Sequence, residues 1–269
     1  VKFELSTTFK VSPGQKKAID KIWANYSKQK KQTLLGITGS GKTFVMANII
    51  EKIQKPTLIL AHNKTLAAQL YSELKDFFPN NRVEYFISFY DYYQPESYIA
   101  TTDTYIEKDS SINEQIEKMR MHTVSSLLSR NDTIVIASIS CIYNLGNPVD
   151  FKTMAVNLAV GKSLKRRDFI HRLVDMQYER NKMELESGKF RVRGDVIDIV
   201  PAYEKNILRI QLESNRIAKI KEIDSITGDL INEIDKITLY PARQYVIPEE
   251  KQKEALEKIH QELDSRLPD

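Results

Sequence analysis

The chain has 269 residues, 41% hydrophobic and 28% charged, with 40 Lys/Arg, 36 Asp/Glu and a formal net charge of +4. This is an ordinary composition for a folded globular protein and enough chain for roughly two domains. No apolar run reaches the ~18 residues that span a bilayer, the N-terminus lacks a signal-peptide pattern, and the single Cys141 excludes a disulfide framework or a multi-cysteine zinc site.

The first part alternates helices and short apolar strands. Ser12 and Pro13 have the chemistry of an N-cap and first helical position, and Ile19, Ile22, Trp23 and Tyr26 then recur at helical spacing. Residues 33–37 read as a buried strand, 42–53 as a helix stopped before Pro56, and 57–61 as a second strand. A helix bearing Leu66, Leu70, Leu74 and Phe77 follows, with further strands at 83–87 and 133–138. Such alternation predicts a parallel α/β sheet. A tyrosine-rich stretch, 89–109, interrupts it, and Ser111-x-x-Glu114 resembles a capping box for a helix with Ile112, Ile116, Met119 and Leu127 inside. From about Phe151 the pattern changes to a helix from Ser163, then short alternating strands with turns at Gly194-Asp195 and Thr227-Gly228-Asp229. This predicts a separate small α+β module. An amphipathic helix through Ala255, Leu256, Ile259 and Leu263 closes the chain.

The strongest chemical signal is Gly36-Ile-Thr38-Gly39-Ser40-Gly41-Lys42-Thr43, a G-x-x-x-x-G-K-[ST] motif between an expected strand and an expected helix. Small residues let backbone N–H groups curl around phosphate oxygens at the positive end of the helix. Lys42 then reaches the β- and γ-phosphates, and the Thr43 hydroxyl is offered to Mg²⁺. Upstream, Phe9 and Gln15 have the chemistry of an adenine site, a stacking ring and a two-edged amide, and equally that of a packed ring and a surface glutamine. Hydrolysis also needs a carboxylate on Mg²⁺ and a group to orient water. No Asp-Glu pair ends an expected strand, so the expectation is a chain that holds ATP with Mg²⁺ and does not turn it over efficiently, with no complete catalytic set.

Six of the 13 tyrosines fall between residues 85 and 105. Tyr85, Phe86, Phe89, Tyr90, Tyr92, Tyr93, Tyr98 and Tyr105 interleave with polar residues, among them Glu96. Such rings stack on bases, or pack as an aromatic hairpin on their own domain; both readings stand. His62-Asn63-Lys64-Thr65 opens a helix at the carboxyl edge of the sheet, where Lys64 is placed to meet a strand phosphate or merely belongs to a capping turn. Residues 161–193 hold ten Lys/Arg against five Asp/Glu. Arg191 and Arg193 share a strand face, with Arg180 and Arg209 near in sequence. They await an anionic partner, or form a solvated edge.

Together LLGITGSGKTF, TLILAHNKTLAAQLYSELKDFFP, SFYDYYQPESY, DTYIEKD, SISCIYNLG, QYER and FRVRGDV resemble the UvrB family, nearly end to end. The resemblance implies a RecA-like P-loop domain over 1–86 and 115–150 and a DNA-contacting β-hairpin over 87–114. It also implies a UvrA-docking domain over 151–245 and a helix, 246–269, returning to the helicase core. It implies ATP at the P-loop with Phe9 and Gln15 at the adenine. Lys64, Phe89, Tyr90, Tyr92, Tyr93, Glu96, Tyr98 and Tyr105 are implied on the DNA path, and Arg180, Arg191, Arg193 and Arg209 against UvrA. The implied role is ATP-dependent recognition of damaged DNA in nucleotide excision repair, with handover to the UvrC nuclease, in the cytoplasm and away from membranes. The family's second helicase domain, with its acidic and arginine motifs, would lie beyond residue 269, so the chain is expected to be an N-terminal part. Phe89 stands where the family has tyrosine, and Gln211 and Leu212 where it tends to have Glu and Phe. The rival expectations are a transcription-repair coupling factor-like translocase, which shares the docking domain, and a module that binds UvrA only.

Overall fold

The computed structural model describes residues 1–88, 90–94, 97–99, 104–106, 109–112, 114–142 and 146–267, and for 90–94, 97–99, 104–106, 109–112, 114, 142, 249 and 250 it describes the backbone alone. The chain divides into two compact units, Val1–Tyr143 and Asn144–Asp269.

The first unit opens with α1 (Pro13–Asn25). Its cap is reciprocal: Gln15 N–H donates to Ser12 Oγ and Ser12 N–H to Gln15 Oε1. Then come α2 (Lys42–Ile53), β1 (Thr57–Ala61), α3 (Lys64–Phe77) and β2 (Arg82–Phe86). The chain leaves the sheet for β3 (Tyr90–Gln94), β4 (Ser97–Ile99), β5 (Thr104–Ile106) and β6 (Asp109–Ile112). It returns through α4 (Glu114–Ser129) and β7 (Thr133–Ser138). The sheet order is β1-β7-β2, with both pairings parallel. The two-residue period of β7 sends Ile134 and Ile136 into a core with Ala47, Ile50, Ala67 and Leu74, the α2 and α3 side. Val135 and Ala137 face the other way, toward Val124 of α4. The excursion is a long antiparallel hairpin in which β3 pairs β6 and β4 pairs β5.

Three expectations change here. Residues 33–37 form no strand, and Leu35 and Ile37 are 89% and 81% exposed. An apolar run becomes a strand only when a neighbour takes its backbone hydrogen bonds, and none of the described strands pairs with it. Ser111 is not an N-cap: it pairs with Tyr92 in the hairpin ladder, so α4 starts only at Glu114. Met119 and Leu127 are exposed, because α4 turns a largely polar face inward, with Arg120, Met121, Thr123 and Ser126 all buried. Apolar periodicity cannot locate a face of that kind.

The second unit holds α5 (Pro148–Met154), β8 (Val156–Ala159), α6 (Arg166–Asp175), β9 (Glu179–Arg180), β10 (Lys189–Arg193) and β11 (Val196–Ile199). It continues with β12 (Ile207–Glu213), β13 (Arg216–Ile223), β14 (Leu230–Glu233), β15 (Lys236–Leu239) and α7 (Glu249–Arg266). Six strands form one sheet in the order β14-β13-β12-β11-β10-β9, and β15 pairs with β8. The turn between β10 and β11 is Gly194-Asp195, with Gly194 at φ +59°, a left-handed conformation that glycine adopts without strain. Alternate residues Phe190, Ile197, Ile199, Leu208, Ile210 and Ile220 are buried, as are Phe169 and Leu173 of α6. The opposite face is polar. The helix expected from Ser163 begins at Arg166, because Ser163 bridges Arg216 instead. In α7 the expected apolar stripe forms but stays exposed at Leu256, Ile259 and Leu263. No helix among the described residues is long and apolar enough to cross a membrane.

Candidate functional site

The phosphate-loop sequence occupies the turn into α2. Gly39 and Gly41 take φ of +79° and +77°. Gly41 is the helix N-cap and supplies no side-chain cap, so the first amides of α2 meet no capping group. A Cβ on Gly41 would lie 2.5 Å from Gln15 Nε2, and one on Gly36 2.7 Å from Ser40 Oγ, each the movable end of a side chain, so it is the left-handed φ of Gly39 and Gly41 that favours glycine here. The Lys42 ammonium is folded back on the loop, donating to the carbonyls of Gly36 at 2.9 Å and Ile37 at 2.8 Å. The uncapped amides at the start of α2 and the exposed Lys42 ammonium are the kinds of donor an anionic phosphate requires.

Gln15 does two jobs. Its oxygen closes the α1 cap and its Nε2 donates to the Ser40 carbonyl at 3.1 Å, tying α1 to the loop. Phe9 is 67% exposed and sits edge-on to Phe44 and Phe77, with ring centroids at 6.1 and 6.4 Å. The structure thus puts Gln15 beside the phosphate loop and leaves Phe9 an exposed ring.

The aromatic run splits. Tyr85 packs on Tyr71 and donates its hydroxyl to the Lys64 carbonyl at 2.9 Å; burial pushes its phenol pKa up. Phe86 is buried under the Arg120 guanidinium, 4.1 Å from the ring centroid. These two are core residues at the foot of the hairpin, not stacking rings. Tyr90, Tyr92, Tyr93, Tyr98 and Tyr105 lie on hairpin strands known by backbone, and Phe89 and Glu96 lie outside the described residues. The feet of the hairpin are pinned by buried polar contacts. Arg120 donates to the Ile87 carbonyl at 2.8 Å, while buried Glu84 accepts from Ser126 Oγ and pairs with His122 Nδ1, both at 2.8 Å. Lys64 opens α3, which Asn63 caps through Leu66 N–H.

In the second unit the four expected arginines separate. Register places Arg191 opposite Asp198, and Asp198 opposite Arg209. Asp198 is 2% exposed, yet ion-paired on both sides. Arg191 Nε donates at 3.0 Å; Arg209 donates twice, from Nε at 2.6 Å and Nη2 at 3.1 Å. Burial alone would raise the Asp198 pKa, but the hydrogen bonds from Arg209 and then Arg191 hold it below the ordinary aspartate value. The same bond raises that of Arg209. The anion that Arg191 meets is therefore internal. Arg193 and Arg180 are exposed, and Arg180 pairs with Phe190, out of phase with Arg191.

Residues 156–245 match the family described as the UvrB interaction domain. Residues 8–144 match the type III restriction enzyme, res subunit, a helicase-like, RecA-like domain with a parallel sheet. Proteins named UvrABC system protein B are similar over 99% of the chain: 55% identical in Methanococcus maripaludis, 52% in Methanosarcina acetivorans and 51% in Staphylococcus epidermidis. This chain belongs to the UvrB family. It spans 40 to 42% of the length of those relatives.

Sequence reasoning missed Asp198, Arg120 and the Glu84–His122 pair. A signal existed for Asp198. Counting back across the two-residue turn Gly194-Asp195 sets 193 against 196 and 191 against 198, which pairs the lone acid of an apolar strand with an arginine. Nothing comparable marked Arg120, which donates to a backbone carbonyl and lies over the Phe86 ring.

Proposed function

We propose that this chain carries the ATP-binding, DNA-contacting and UvrA-docking part of a damage-recognition protein of nucleotide excision repair. In this reading Gly36, Thr38, Gly39, Ser40, Gly41, Lys42 and Thr43 hold the phosphates, with Mg²⁺ on the Thr43 hydroxyl. Phe9 takes the adenine, with the Gln15 amide beside it. The hairpin enters damaged DNA, with Lys64 along its path. Arg193 and Arg180 offer exposed guanidiniums to acidic groups of UvrA, while Arg191 and Arg209 fix the strand that presents Arg193. Handover to UvrC belongs to parts of the family beyond this chain. ATP supplies binding energy that changes on hydrolysis, and this chain's contribution is to bind and orient it.

The observation that supports the reading most is the pair of left-handed glycines leading into Lys42 and the uncapped start of α2. Lys42→Ala tests it, in a titration of the chain with a fluorescent ATP analogue. Losing a charge-assisted contact worth about 1.5–3 kcal/mol should weaken binding roughly 10–150-fold. Far-UV circular dichroism should not change, because the Lys42 ammonium bonds only exposed loop carbonyls. Equal affinities would refute the phosphate role.

A further inference from the structure

We propose that the carboxyl end of α1 and the loop after it form a second nucleic-acid contact, an aromatic and lysine platform for single-stranded nucleic acid, separate from the hairpin. It does not depend on the function proposed above. Trp23 and Tyr26 lie nearly parallel, 9° apart, with ring centroids at 6.0 Å, and remain 44% and 40% exposed. The Lys55 ammonium stands 5.6 Å from the Tyr26 centroid. The loop is held close: Lys28 and Gln29 N–H both donate to the Asn25 carbonyl, and Gln32 Nε2 donates back to the Ile22 carbonyl at 3.1 Å. Residues 21–32 carry Lys21, Lys28, Lys30 and Lys31 and no acid. Asp20, the acid just before them, is paired with Lys52 at 3.5 Å.

The chemistry selects the ligand. The core of a protein–protein interface is depleted of charge, and lysine is the cation such interfaces favour least. A single strand needs flat rings for its bases and cations for its phosphates; here two exposed rings have Lys55 at 5.6 Å and four further lysines on the same helix end and loop. The platform and the hairpin differ in origin as well: one is built from α1 and the end of α2, the other from the excursion after β2.

Trp23 is the only tryptophan, so its fluorescence reports this patch. The full chain would be titrated with short oligothymidylate and, separately, oligouridylate; the tighter of the two identifies the strand type. Saturable quenching is expected at low salt. Tyr26→Ala should weaken it about tenfold, or about 1.4 kcal/mol. Lys30→Gln with Lys31→Gln should make the plot of log affinity against log salt shallower, by roughly 0.7 for each phosphate that a lysine no longer neutralises. Tyr92→Ala with Tyr93→Ala should leave the quenching unchanged. Circular dichroism checks the fold of each variant. No quenching while a labelled oligonucleotide still binds would overturn the proposal, as would loss of the quenching in the hairpin variant. Equal quenching by heparin or polyglutamate, which carry charge without bases, would do the same.

Discussion

Arg191 and Arg193 stand two residues apart on β10 and should respond oppositely to charge reversal. Arg191→Glu removes a 3.0 Å ion-pair hydrogen bond to an aspartate that is 2% exposed and sets a second carboxylate beside it. The missing bond is worth about 1.5–3 kcal/mol. Two like charges roughly 5 Å apart at an effective dielectric near 20 add about 3 kcal/mol of repulsion. Arg209 stays and offsets part of this, leaving a net loss of about 3–5 kcal/mol. Whole domains are stable by about 5–15 kcal/mol, so the second unit should be close to unfolding. In urea, with a slope near 2 kcal/mol/M, the far-UV transition should move down by about 2 M. Arg193→Glu, exposed beside the turn, should stay within about 0.5 kcal/mol of the parent while losing UvrA affinity in a direct titration. An Arg191→Glu chain that melts at the parent's urea concentration would refute the account of Asp198. A double reversal confounds docking with folding, so Arg193→Glu alone is the clean docking probe.

The depressed pKa of Asp198 fixes the sign of a pH effect. Its stabilisation is complete above the unfolded value of about 3.9 and is lost as pH falls through the lower folded value. Asp198→Asn should therefore unfold more readily at neutral pH and flatten the stability curve below about pH 4, read by urea melts at several pH values. Gly41→Ala should weaken ATP-analogue binding more than Gly39→Ala, since both place alanine at a left-handed φ but only the former also pushes the Gln15 amide off the Ser40 carbonyl; equal weakening would reject a role for that amide in holding the loop. Tyr92→Ala with Tyr93→Ala, made in a full-length relative, should weaken damage-specific loading without altering the salt slope, because stacking and not charge is removed.

What was legible in the sequence was local. The ends of α2, β1 and β7 follow from apolar period and flanking breakers, and the α1 start from Ser12 and Pro13. The phosphate loop was legible because its chemistry is contiguous. What failed depended on partners distant in sequence. Residues 33–37 have strand composition but no ladder. Ser111 has cap chemistry, yet Tyr92 claims it first. Arg191 and Arg193 look equivalent along the strand and differ only through Asp198, which sits across a turn. Trp23 and Tyr26 fitted a buried helical stripe, but of that stripe Ile19 is buried while both rings lie exposed.

The open side of β1 has a consequence for the chain as a colloid. Leu58 and Leu60 are 62% and 53% exposed, since α4 covers β7 and β2 but leaves this strand bare, and among the described residues β1 has one hydrogen-bonded neighbour. Thr57–Ala61 is thus a short, uncharged, β-prone segment with a free edge, the kind that templates self-association. Its flanks oppose that: Lys55-Pro56 precede it and His62-Asn63-Lys64 follow, placing a proline and like charges where two copies would have to align. Salt screens the lysines but leaves the proline untouched. Raising the ionic strength therefore lowers the barrier between dispersed chains, and dilute, low-salt buffer keeps them apart.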